Sequence, residues 1–196
     1  MNRRDAIKLL EESNTTNLGP WINHSKNVAI LAEYITKNIP SFDPEEAYIF
    51  GLLHDIGRKY GFSHIKHTLD GYRILKDSYP KAAFICLSHS FPNKIIHEYQ
   101  GNIDISEEEQ KYIQTILANT EYDYYDELIQ ICDSYATSNG FVNMETRWVD
   151  VVIRNGFNKF TIDKWKKIYD IKHEIEEKYS IRIDKYISEL NSKKDE

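Results

Sequence analysis

The sequence predicts an all-α fold, and three observations predict it. Apolar residues recur at helical spacing through nearly every segment, and no run of alternating apolar and polar residues is long enough to require a strand. Only 8 Gly and 5 Pro interrupt 196 residues otherwise rich in helix-compatible side chains. The length suits one good core better than two, so residues 1–196 are expected to form a single domain, with a core over about 20–136 and a helical extension over 143–190.

The elements follow in order. After a charged amphipathic N-terminal stretch, a helix follows Gly19-Pro20 and runs from about Trp21 to Asn38, with Val28, Leu31 and Ile35 on its apolar stripe. One turn back, the same stripe reaches His24. The next helix starts at Asp43, which can cap it. Pro44 suits its first position, Glu46 completes a capping box and Gly57 stops it, which places His54 and Asp55 in its last turn. A helix carrying Gly71, Ile74 and Leu75 begins near His67, and another from about Pro80 carries Ala82, Ile85 and Cys86 up to His89, which continues that apolar face. The stretch from Phe91 to Ile105, holding Pro92, Gly101 and Asn102, reads as a longer polar connection flanking a pocket. Helices resume at the Ser106-Glu107-Glu108-Glu109 capping box. From about Asp123 a further helix sets Ile129, Cys132, Asp133 and Ala136 on one face, and amphipathic helix returns from Asn143 through Trp148 and from Thr161 to Leu190, before the charged tail Ser192-Lys193-Lys194-Asp195-Glu196.

Composition narrows the function classes. A formal charge of -6 with no compact Lys/Arg block makes nucleic acid a poor partner, although a local basic spot could hold a small phosphorylated molecule. Cys86 and Cys132 lie in apolar helical stretches, which suits buried free thiols and a reducing compartment. The N-terminus has no apolar core of a leader, and no apolar run approaches the roughly 18 residues of a membrane span, so a cytoplasmic protein with no membrane partner is expected. Oligomeric state is left open.

A lone His on an apolar helix face is more often a core histidine than a ligand. Here the count matters: His24, His54, His89 and Asp133 each fall on, or at the end of, the buried face of a different helix, and Asp55 adjoins His54. An ionised Asp133 amid Ile129, Ile131, Cys132 and Ala136 would be costly to bury unless hydrogen-bonded, paired or bound to a cation. Imidazole and carboxylate together suit Fe, Mn, Zn, Co or Ni. The run Glu121-Tyr122-Asp123-Tyr124-Tyr125-Asp126 either stacks a nucleobase or opens a helix with core tyrosines, while Trp148, Trp165, Phe157 and Phe160 read as core, and His97 and His173 as surface.

The segment Gly51-Leu52-Leu53-His54-Asp55-Ile56-Gly57 resembles the HDIG form of the HD-superfamily motif, and His24 before it and Asp133 after it complete that pattern. His67 and His89 fill the places of two further histidines found in the two-metal branch, as in HD proteins similar to symmetrical dinucleoside tetraphosphatases. The resemblance implies an HD-domain helical bundle with additional C-terminal helices and two divalent transition-metal ions, Fe or Mn foremost, with Zn, Co or Ni as alternatives. It further implies that Asp55 bridges the ions, that His24, His54 and Asp133 hold one, and that His67 and His89 hold the other. The implied activity is hydrolysis of a phosphate ester or anhydride, of a nucleotide or other small phosphorylated metabolite, by a metal-activated hydroxide. Arg58 and Lys59 stand where many HD proteins keep a cation near the phosphate, though a helix C-terminus favours the same charges. His64 is a candidate general acid, substrate contact, further ligand or surface residue. The alternatives are an HD-fold di-iron oxygenase using the same six ligands, and a non-catalytic metal- or ligand-binding module. No Glu-Asp pair of the stringent-response hydrolases and no Gly-Tyr-Pro of the cyclic-dinucleotide phosphodiesterases follows His54-Asp55. His67 comes only 13 positions after His54, closer than in the tetraphosphatase-like proteins, so the substrate stays open.

Overall fold

Local start signals set most of the helices in the computed structural model, which describes residues 1–193; the last three residues of the charged tail lie outside the described residues. The Asn2 side chain accepts the Asp5 N–H and opens α1 (Arg3–Thr16), and α2 (Trp21–Thr36) follows Pro20. Asp43 opens α3 (Pro44–Leu53) by accepting the Glu45 N–H at 2.8 Å, with Pro44 in the first turn. Then come α4 (Lys66–Leu75), α5 (Pro80–Ser88), α6 (Glu107–Asn119) and α7 (Tyr124–Tyr135). Reciprocal capping boxes start α6 at Ser106/Glu109 and α7 at Asp123/Asp126. The C-terminal third is α8 (Met144–Asn155), α9 (Thr161–Tyr179) and α10 (Ile183–Ser192).

Five expectations are corrected. The chain holds one small antiparallel pair, β1 (Ala136–Thr137) with β2 (Gly140–Phe141), too short to leave an alternating pattern. The α3 helix ends at Leu53 rather than near Gly57, and Ile56–Tyr60 forms a separate 3₁₀ turn, so Asp55 sits in a break and not in a last helical turn. The Phe91–Ile105 connection is not simply polar, because Phe91 and Ile96 are buried with Ile65, Leu69, Leu87, Ile113 and Leu117 in a second small core. Phe157 is 61% exposed, and the Thr161–Leu190 helix breaks at Ser180, whose φ of 54° is left-handed.

The main core forms where α2 crosses α3, and α7 packs across both. A Cβ on Gly51 would stand 2.7 Å from the Ala29 Cα, so the two helices cross nearly backbone to backbone. Leu31, Ile35, Leu52 and Leu53 are fully buried there, each contributing roughly 1.5–3 kcal/mol. The acidic aromatic run belongs to this packing: Tyr124 stacks on Phe42 with ring centres 3.8 Å apart. Asp126, fully buried, ties α7 to α5 by accepting from Lys81 Nζ at 2.6 Å and Ser88 Oγ at 2.7 Å. Both cysteines are buried free thiols, as expected.

Gly57 has a different role from the one its position suggests. A Cβ there would lie 2.0 Å from the His67 carbonyl oxygen and 2.5 Å from the Gly71 amide, so the 3₁₀ turn rests directly on α4. Gly57→Ala is therefore expected to lower the unfolding free energy by about 1–3 kcal/mol, as overpacking does. Denaturant titration of metal-stripped protein checks it; an unchanged midpoint would show that α4 does not bear on the turn.

Candidate metal centre

Five helix or turn ends converge on one point. Three histidines are oriented from within their own segments: His54 Nδ1 lies 2.7 Å from the Gly51 carbonyl, His89 Nδ1 lies 3.1 Å from the Ile85 carbonyl, and His67 Nδ1 rests on the His64 carbonyl. A carbonyl only accepts, so each Nδ1 carries the proton and each Nε2 presents a lone pair.

Those lone pairs meet carboxylates. His67 Nε2 lies 2.9 Å from Asp55 Oδ1, His89 Nε2 3.7 Å from the same oxygen, and His54 Nε2 3.9 Å from Asp55 Oδ2. On the α2–α7 side, His24 Nε2 lies 2.9 Å from Asp133 Oδ1. The His54 ring sits edge-on to both His24 and His89, with centres 5.2 and 5.0 Å away. His24, His54 and Asp133 bring donor atoms within 4.8 Å of one another, and so do His54, Asp55 and His89. His67 stands outside both triads, against Asp55. Asp133 is less enclosed than its apolar neighbours suggested, with 30% of its side chain exposed toward a cleft.

Arg58 supplies the positive charge built into the chain. Its Nε donates to Asp55 Oδ2 at 2.6 Å, Nη1 to the Ser63 carbonyl at 3.3 Å, and Nη2 to His67 Nε2 at 3.4 Å. Burial by itself would raise the Asp55 carboxyl, but the Arg58 guanidinium outweighs it and holds it well below the usual carboxylate range. Asp133 is likewise held low against burial by His24. Burial pushes the His89 imidazole down to about 3, and lowers His54 too, so both stay neutral and able to ligate.

The donor set fits a divalent transition metal. Among the described residues, His54 Nε2 and Asp55 Oδ1 are buried with no hydrogen-bond partner. A nitrogen lone pair facing a carboxylate at these distances is repulsive until a cation sits between them. Ser90 Oγ, 3.0 Å from His89 Nε2, would have to turn aside for His89 to ligate.

The remaining sequence candidates stand apart from this centre. Lys59 lays its ammonium over the Tyr60 ring at 5.8 Å. His64 reaches Asn102 Nδ2 with its Nε2 at 3.3 Å and packs edge-on to the exposed Phe62. His97 and His173 are exposed. Sequence reasoning missed Arg147 and Lys164, which line a cavity beside His89 and Asp133. Lys164 lies in the run Asp163-Lys164-Trp165-Lys166-Lys167, where no local pattern distinguishes it from its neighbours.

Fold and site together define a helical protein built to hold metal with mixed imidazole and carboxylate donors. The family model described as HD domain matches residues 21–138, more than half of the chain, and the chain belongs to the HD domain family. Membership carries metal-dependent phosphohydrolase-type chemistry in general and a small-molecule substrate. No curated protein and no solved structure matches the chain. Among the described residues, no helix is long and apolar enough to cross a membrane.

The depressed imidazoles give a pH dependence with a definite sign. An unfolded histidine takes up its proton near 6.5, whereas folded His89 does so only near 3, so the unfolded state binds more protons in between. Stability of the metal-free protein is expected to be full above 6.5 and to fall as pH drops toward 3. His89→Gln should flatten that slope. Urea midpoints in chelator at a series of pH values read it, and an unchanged slope would mean that His89 does not titrate as its burial requires.

Proposed function

We propose that this protein hydrolyses a phosphate ester or anhydride of a nucleotide or other small phosphorylated metabolite, using two divalent transition-metal ions held by His24, His54, Asp55, His67, His89 and Asp133. One observation carries the reading: three imidazole lone pairs and two carboxylates converge on one point, where Arg58 is the cation hydrogen-bonded to Asp55. Fe or Mn suits these donors best, with Zn, Co or Ni as alternatives. We read the chain as one domain in which the C-terminal helices close one side of the site.

When bound, the ions would lower the pKa of a water and screen the charge of the phosphate. The side chains do the rest. Arg58, fixed on Asp55 Oδ2, leaves Oδ1 turned to His67 and His89, which supports Asp55 as a carboxylate that would serve both ions. His24, His54 and Asp133 would hold one ion; His67 and His89 would hold the other. Because its guanidinium is already engaged three ways, Arg58 acts as a positioning residue for Asp55 rather than as a grip on phosphate. Lys59 takes the helix-end role, and His64, engaged with Asn102, contacts substrate rather than metal.

Metal analysis followed by phosphate-release assays on a broad panel, with Mn, Fe, Co, Ni, Zn and Mg added in turn, tests the whole reading. Wild-type protein should hold about two ions per chain and release phosphate; His67→Ala and His89→Ala should each lower the content toward about one, with a steep loss of activity. Oxygen uptake with no phosphate release from any substrate would replace the hydrolase by an oxygenase, and a protein that takes up no metal would leave a binding module. Arg58→Ala should cost about 3 kcal/mol of stability, since it strips a buried carboxylate of its partner, and should lower metal content as well. Wild-type metal content in that variant would return Arg58 to a direct role on substrate.

A further inference from the structure

A second feature of the site draws its cations from beyond residue 138, outside the part that the family model matches. A cavity of about 80 Å³ opens between α7, α8 and α9, and its lining includes His89 and Asp133, one donor from each candidate triad. Arg147 of α8 and Lys164 of α9 face it with Gln130 of α7. Each cation is followed in sequence by a tryptophan, and those two, Trp148 and Trp165, stack in parallel with ring centres 5.4 Å apart. The stack therefore fixes the spacing of the two cations.

Both cations keep donors in reserve. Lys164 Nζ donates to the Ser90 carbonyl at 2.8 Å, which leaves two of its three protons. Arg147 has a 3.4 Å contact to the half-exposed Asp150, and its Nε is buried with no hydrogen-bond partner among the described residues. Gln130, 1% exposed, is pinned by its Nε2 to the Ser88 carbonyl at 2.9 Å and leaves Oε1 equally unpartnered. Arg147 Nε and Gln130 Oε1 are thus buried without partners beside one small space, and Lys164 has donors to spare there.

We infer that this cavity is the seat of a terminal phosphoryl group, so that the substrate is a phosphomonoester or the end phosphate of an anhydride and not a diester. The inference rests on the phosphohydrolase reading above. The cavity is partly open and far below the roughly 300 Å³ of a pocket that encloses a nucleoside-sized ligand, so it takes the phosphoryl group and leaves the remainder of the substrate outside. Charge agrees: a monoester carries about −1.5 to −2 at neutral pH against −1 for a diester, and two fixed cations beside the ion sites favour the former.

The test uses metal-loaded full-length protein and two readouts. By calorimetry with inorganic phosphate, Lys164→Gln and Arg147→Gln should each weaken binding at least about tenfold with metal content unchanged, and Arg147→Lys, which keeps the charge but not the fork, should fall between wild type and Arg147→Gln. In turnover, 4-nitrophenyl phosphate should be favoured over bis(4-nitrophenyl) phosphate about a hundredfold or more in kcat/KM, with that preference reduced in both Gln variants. Wild-type phosphate affinity in both Gln variants, loss of metal along with phosphate, or a preference for the diester would each overturn the assignment. Absence of turnover on either ester, with phosphate binding still dependent on Lys164 and Arg147, would remove the hydrolase reading and leave the anion seat standing.

Discussion

Asp55 and the imidazoles around it form a group of acceptors pressed together inside a helical core, and Arg58 is the cation hydrogen-bonded to them. Everything near the site answers to that constraint. The 3₁₀ turn that carries Arg58 is short enough to bring its guanidinium back onto Asp55 three residues earlier, and Asn17, in the α1–α2 connection, donates to the Arg58 carbonyl at 2.6 Å. Gly57 lets that turn rest on α4, which brings His67 to the opposite side of the same carboxylate. An apolar isostere at Asp55 would remove the repulsion but leave the half-buried Arg58 guanidinium without its carboxylate. The electrostatic frustration is thus confined to one spot, in packing that is otherwise consistent with its local sequence signals.

Much of this was legible in the sequence because it is local. Asp43-Pro44, Ser106/Glu109 and Asp123 are start signals whose partners lie within three residues, and each opens a helix. The stripes that place His24, His89 and Asp133 are also local, and buried acidic and imidazole groups on separate helices are an unusual pattern for a plain core. What escaped was non-local. Gly57 looks like a helix stop, yet its reason is a carbonyl ten residues away, and the two-residue strands of the 136–141 hairpin are shorter than any period can reveal. Arg147 and Lys164 sit in amphipathic helices rich in charge, where only the packing of α8 and α9 against α7 picks them out.

The connection between α5 and α6 shows the same limit from the other side. Its Pro, Gly and Asn content correctly marks an irregular segment, but polarity there does not mean exposure. Glu98 is fully buried, where it accepts from the Asn93 backbone N–H at 2.8 Å and from Asn93 Nδ2 at 2.7 Å, so the loop satisfies its polar groups internally while Phe91 and Ile96 fill the second core. Gln100, from the end of this loop, lies on the cavity wall, and its partner Thr161 opens α9. The loop thereby joins the helices that carry the His/Asp cluster to the C-terminal ones.

The anchoring of each ring to a carbonyl three or four residues earlier in its own chain separates two aspects of the geometry that are coupled in many metal sites. Which way an imidazole points is written into a stretch of five residues or fewer, whereas how far apart the imidazoles stand is written into the helix crossings, above all the close approach at Gly51 and Ala29. Drift among the helices would therefore change the size of the centre without changing the aim of its donors. Selection on helix packing can then tune the size of the cluster while the angular arrangement of its imidazole nitrogens is left intact.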